Sequence, residues 1–105
     1  MKVLLIKEIS GAGNHFIDLI TDENGNQVPS SIYLQLLNAD SMSVAGVIKD
    51  SEDIAPADLS LISLNDYSIL KTATAPGLYV IDGSGLSSIN INLTNGEKVI
   101  VKVNY

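Results

Sequence analysis

His15 is the one imidazole in the chain, so any serine triad would have to use it. Phe16 sits beside it and Asp18 lies three residues on, at the start of a predicted strand. No Gly-x-Ser-x-Gly elbow accompanies it, because Gly83-Ser84-Gly85 lacks the spacing and falls in a predicted hairpin turn. His15 is therefore expected to be a surface or edge histidine, and the chain to carry no catalytic residue and not to be an enzyme. Gly11-Ala12-Gly13 is no dinucleotide fingerprint, since the third glycine is missing and no helix is predicted to follow. Asp22, Asn24 and Asn26 place oxygens at alternate positions, as a calcium loop does. An EF-hand, however, needs Gly where Gln27 stands and Glu where Tyr33 stands. Turns favour the same residues for their tolerance of positive φ. Asp50, Glu52, Asp53 and Asp58 form the most acidic stretch and are expected to be a solvated loop. No metal and no cofactor are expected. Ser88, Asn90 and Asn92 form a polar, uncharged row that suits sugar or protein contact. Sugar sites usually add an aromatic platform, for which Tyr33, Tyr67 and Tyr105 are the candidates if Tyr79 has a structural role.

Composition bounds what can position these groups. The 105 residues fit a single domain, 1–105, and 46% hydrophobic against 17% charged residues is too apolar for a disordered chain. The absence of Cys removes disulfides, thiolate catalysis and Cys-based zinc sites. The formal charge is -6, with six Lys and no Arg. Such a surface repels phosphate and lacks the planar fork that reads guanine, so neither nucleic acid nor an anionic membrane is an expected partner. Met1 to Ile6 starts like a secretory leader, but Lys7 and Glu8 end the apolar run, and no stretch reaches the roughly 18 apolar residues of a membrane span. Synthesis in a cytoplasm is the expectation.

The elements expected from periodicity are short strands separated by turns every 8–12 residues. Residues 2–9 read as a strand in which Leu4, Leu5 and Ile6 break alternation, through burial on both faces or a bulge. Strands are predicted over 15–21 and 43–49. Residues 32–37 fit a strand through Ile32, Leu34 and Leu36, with a short helix as the alternative. Leu59 and Leu61 share one phase, Ile62 and Leu64 the other, which predicts a strand with a bulge near Leu61; 67–73 is predicted as one further strand. Residues 77–81 form another. Ser88–Leu93 and Lys98–Tyr105 both alternate without a break around Asn95-Gly96, the pattern of a β-hairpin. Ile89, Ile91, Leu93, Val99, Val101 and Val103 form the predicted inner face, and Ile100 is the apolar exception on the outer one. The expected fold is all-β, an antiparallel β-sandwich.

Gly77-Leu78-Tyr79-Val80-Ile81 resembles the tyrosine-corner stretch of immunoglobulin-like sandwiches. The resemblance implies that the Tyr79 hydroxyl bonds backbone upstream and that Ile81 is the core residue two positions on. It departs from antibody domains in having no Cys, no Trp and two strands after Tyr79. As a whole, this small, acidic, Cys-free chain rich in Ile, Asn, Ser and Lys resembles accessory structural proteins of tailed bacteriophages, such as capsid decoration and auxiliary head proteins. That resemblance implies a virion protein made in a host cytoplasm and present in multiple copies, with the major shell protein as partner. Ile100 and the loop tips at Asn24, Gly25 and Asp53 are the expected contacts. The alternative is a small carbohydrate- or protein-binding module.

Overall fold

The computed structural model describes residues 4–19, 29–37, 41–48, 56–96 and 98–105. Eleven strands follow one another: β1 (Leu4–Ser10), β2 (Gly13–Asp18), β3 (Ser31–Leu36), β4 (Met42–Val47), β5 (Ala57–Asp58), β6 (Leu61–Ser63), β7 (Ile69–Leu70), β8 (Thr72–Ala73), β9 (Gly77–Asp82), β10 (Ser88–Leu93) and β11 (Lys98–Asn104). They form two antiparallel sheets. One has the order β1-β11-β3-β9-β6-β7; the other runs β2-β10-β4-β5, with β8 also paired to β4. Among the described residues there is no helix, and 31–36 are strand, with Ile32, Leu34 and Leu36 fully buried. The fold is the all-β antiparallel sandwich that the alternation predicts.

The core lies between the sheets and is aliphatic. Leu34, Val101 and Ile81 from the first sheet meet Ile89, Ile91 and Val44 from the second, each at most 2% exposed. Alternation explains why so few charges are needed to solubilise it: every second residue of β10 and β11 points inward, and its neighbours point to water.

The pairing of the last strands differs from the predicted hairpin. β10 pairs with β2 and β4, whereas β11 pairs with β1 and β3, so the two strands lie in opposite sheets. Asn95-Gly96 belongs to a connection that crosses the sandwich. Neither residue has positive φ, and a type I′ turn requires it at both central positions. Gly83-Ser84-Gly85 likewise joins β9 to β10 across the sheets rather than closing a hairpin. There the Leu86 amide donates to the Gly83 carbonyl at 3.1 Å and Gly85 takes φ +82°, the left-handed third position of a type II turn. Asp82 Oδ1 accepts the Ser84 amide at 2.9 Å, and the Ser84 amide, then its hydroxyl, hold the Asp82 carboxyl below its usual range. One consequence is testable. Gly96 needs no glycine conformation and has open space around its Cα, so Gly96→Ala should be neutral or stabilise the protein by up to about 1 kcal/mol in urea unfolding. A loss above about 1 kcal/mol would instead indicate a left-handed hairpin turn.

The other phase slips are sheet crossings too. β5 and Leu59, whose amide donates to the Val44 carbonyl at 2.9 Å, belong with the second sheet, and β6 belongs with the first. The chain turns a corner at Leu59–Leu61, so the predicted bulge is absent and Asp58 lies in a short strand. The predicted strand 67–73 is two strands in different sheets, with the switch at Lys71. Tyr67, at φ 60°, ends the β6–β7 hairpin and cannot extend a strand. β1 pairs with β11 residue for residue from Leu4 to Ser10, which leaves no bulge, and Ile6 is 61% exposed rather than doubly buried.

Candidate docking surface

Outward-facing positions of the six-stranded sheet form a continuous apolar band. In register across the strands, Ile6 lies opposite Lys102, Lys102 opposite Tyr33, Tyr33 opposite Val80, Val80 opposite Ile62, and Ile62 opposite Ile69. One row thus crosses all six strands with a single charge in it. The stem of Lys102 continues the apolar surface while its ammonium stays in water. A second row runs Glu8, Ile100, Gln35, Leu78. Ile6, Ile62, Ile69 and Leu78 are exposed by 61, 38, 71 and 47%. Between the rows a shallow depression of about 170 Å³ is lined by Ile6, Tyr33, Gln35, Leu78, Ile100 and Lys102. Scattered surface hydrophobics need no explanation, but a contiguous exposed apolar band is the kind of surface on which proteins associate.

Charge on this face is balanced. Lys98 Nζ meets Glu8 Oε1 at 2.8 Å, a half-exposed pair worth about 0–1 kcal/mol, and Lys102 and Asp82 contribute one charge of each sign. The described residues of this face thus carry no net charge, although the chain as a whole is at -6, which lowers the desolvation cost of covering it.

Ile100 is half-buried within this band, so the one outward apolar residue singled out in the sequence is joined by Ile6, Ile62, Ile69 and Leu78. Ile62, Ile69 and Leu78 were legible in principle: each occupies the outward phase of its strand, once the sheet crossings at Leu59–Leu61 and Lys71 are known. Asn24, Gly25 and Asp53 lie outside the described residues, as does the rest of the calcium-like loop and the acidic stretch up to Asp53.

The Tyr79 hydroxyl donates to the Ala75 carbonyl at 2.6 Å, four residues upstream. Tyr79 is 4% exposed and Ile81 2%, both on the inner face, while Gly77 opens β9. Tyr79→Phe should therefore cost about 1 kcal/mol, read as a fall of roughly 4–8 °C in the thermal midpoint. An unchanged midpoint would mean that the hydroxyl is as well satisfied by water.

His15 is half-buried on edge strand β2, with Nε2 2.8 Å from the Gly11 carbonyl oxygen. Among the described residues, no group of three or more His, Cys, Asp or Glu side chains is placed to hold a metal ion.

No family model matches the chain, and no curated protein matches it significantly. Solved structures do share its fold. The SPBc2 prophage-derived protein YomS superimposes with a TM-score of 0.74 over 100% of this chain and 96% of its own, at 10% identity. The PBSX exported protein XepA gives 0.69 over 97% of this chain at 7% identity, and this chain spans 38% of XepA. A protein of the Bacillus endospore appendages, described as a family of disulfide-linked pili, gives 0.61 over 100% of this chain and 86% of its own, at 8% identity. The fold is thus shared with a prophage-derived protein, an exported protein and a protein of spore-appendage pili.

Proposed function

We propose that this chain is a non-enzymatic structural component of a bacteriophage-related assembly, a capsid decoration or auxiliary head protein. It docks on the major shell protein through the outer face of the six-stranded sheet. The apolar band from Ile6 to Ile69 carries this reading, because a surface row crossing six strands with one charge is costly to leave in water and favourable to cover. Ile100 and Leu78 lie at the centre of the contact, where burial contributes most. Asn24, Gly25 and Asp53 are further proposed contacts. The likeness of fold to YomS, a prophage-derived protein, supports a phage origin, and the likeness to a protein of disulfide-linked pili fits a role in an assembly. The disulfide linkage of those pili is not open to a chain without cysteine. Multiple copies on one particle turn a modest single contact into firm attachment. The reading places the protein on virions, after synthesis in the host cytoplasm. Quantitative mass spectrometry of particles purified from the source culture tests it: a copy number in fixed ratio to the major shell protein is expected, and a chain confined to soluble lysate would overturn it.

A further inference from the structure

The outer face of the five-stranded sheet, on the opposite side of the sandwich, is chemically unlike the docking band. Asn14, Asn92 and Ser43 lie in register across β2, β10 and β4; Phe16, Asn90 and Ala45 form the next row. Phe16 is 67% exposed, beside Asn90. Asn14 Oδ1 accepts both the Asn92 amide at 2.8 Å and the Asn90 amide at 3.3 Å, which fixes how these side chains are turned. Asn90 Oδ1 is covered and accepts no hydrogen bond. A covered acceptor without a donor is a local departure from good packing of the kind that functional surfaces tolerate. The charges in register with described residues of this face are carboxylates, Asp18 opposite Ser88 and Asp58 opposite Ala45.

We propose that this face binds a neutral oligosaccharide, with Phe16 as the stacking platform and Asn14, Asn90 and Asn92 as the polar contacts. The C–H face of a pyranose ring packs against an aromatic ring, and its hydroxyls need partners that both donate and accept, which an amide row supplies and a charged row does not. Amides held in place by Asn14 lose little freedom on binding. The flanking Asp18 and Asp58 disfavour anionic glycans, while carboxylates accept hydrogen bonds from neutral sugar hydroxyls. If the opposite face docks on a shell, as proposed above, this face points outward, but sugar binding itself does not depend on that docking.

Titration of the ¹⁵N-labelled full chain with cellotetraose, maltotetraose and the N-acetylglucosamine tetrasaccharide tests the proposal, with a heparin tetrasaccharide as the anionic probe. At least one neutral tetrasaccharide should give saturable shifts confined to Asn14, Asn90, Asn92 and the backbone around Phe16, with a dissociation constant in the millimolar range or tighter. Phe16→Ala, at an exposed position that keeps the fold, should weaken binding about tenfold, whereas Ile6→Lys on the other face should leave it unchanged. The proposal is overturned if none of the three neutral sugars binds saturably, if binding survives Phe16→Ala undiminished, or if the heparin fragment binds more tightly than all of them. Failure here with normal particle incorporation would leave the docking reading intact, and the reverse result would separate the two in the other direction.

Discussion

Leu34→Ala should lower the unfolding free energy by about 3 kcal/mol, within the 2–5 kcal/mol typical of emptying a buried leucine site. Leu34 has no exposed surface, and it sits on β3 between Val101 of β11 and Tyr79 of β9 in exact register, inside the six-stranded sheet. Strands on both sides and a second sheet opposite leave little room to collapse, so the cavity term adds to the lost transfer energy. Against a total stability of about 5–15 kcal/mol, such a loss should lower the thermal midpoint by more than ten degrees, at roughly 4–8 °C per kcal/mol. Ile62→Ala on the outer face of the same sheet, where Ile62 is 38% exposed, serves as the control and should cost about 1 kcal/mol or less. Equal losses at the two positions would mean that β3 does not face the core as described.

What the sequence made legible was the inner and outer side of each strand, and what it hid was the pairing. The alternation in Ser88–Leu93 and Lys98–Asn104 names Ile89, Ile91, Leu93, Val99, Val101 and Val103 as inward, and all six are at most 1% exposed. Period two is a property of one strand against one face. A sandwich has an inner face on each sheet, so a chain that crosses from sheet to sheet keeps the same alternation as one that turns back beside itself. The connection between Leu93 and Lys98 is long enough for either path. The crossings at Leu59–Leu61 and Lys71 did leave a trace, as breaks in phase, but a bulge and a corner give the same break in one dimension. Burial settles each case: Leu61 and Ser63 point inward, Ile62 outward, and the Leu59 amide bonds β4.

The surfaces were legible only in fragments. Ile100 stood out because it interrupts a clean alternation. Ile6 was hidden in the run Leu4-Leu5-Ile6, where three apolar residues in sequence gave no phase. Phe16 is legible as outward-facing, because Ile17 and Leu19 occupy the inward phase of the same segment. Its pairing with Asn90, which brings an aromatic ring beside the amide row, depends on register between segments more than 70 residues apart, and no local pattern carries that.

The double variant Ile6→Lys with Leu78→Lys should fold normally and should all but vanish from particles. Both side chains are largely exposed, at 61 and 47%, so their replacement should change stability by no more than about 1 kcal/mol. On the particle the effect is different in kind, because two ammonium groups would be carried into a contact that has no net charge to meet them, and each would lose its water. A central apolar contact is worth about 2 kcal/mol or more, close to 30-fold in affinity, and attachment through many copies compounds the loss per copy. Particle-bound copies counted against the major shell protein should fall by about 100-fold or more, with the variant recovered folded in the soluble fraction. Phe16→Ala, on the opposite face of the sandwich, should leave that count unchanged. Equal incorporation of the double variant and the parent would remove the six-stranded sheet from the interface. Loss with Phe16→Ala but not with the double variant would move the interface to the amide face.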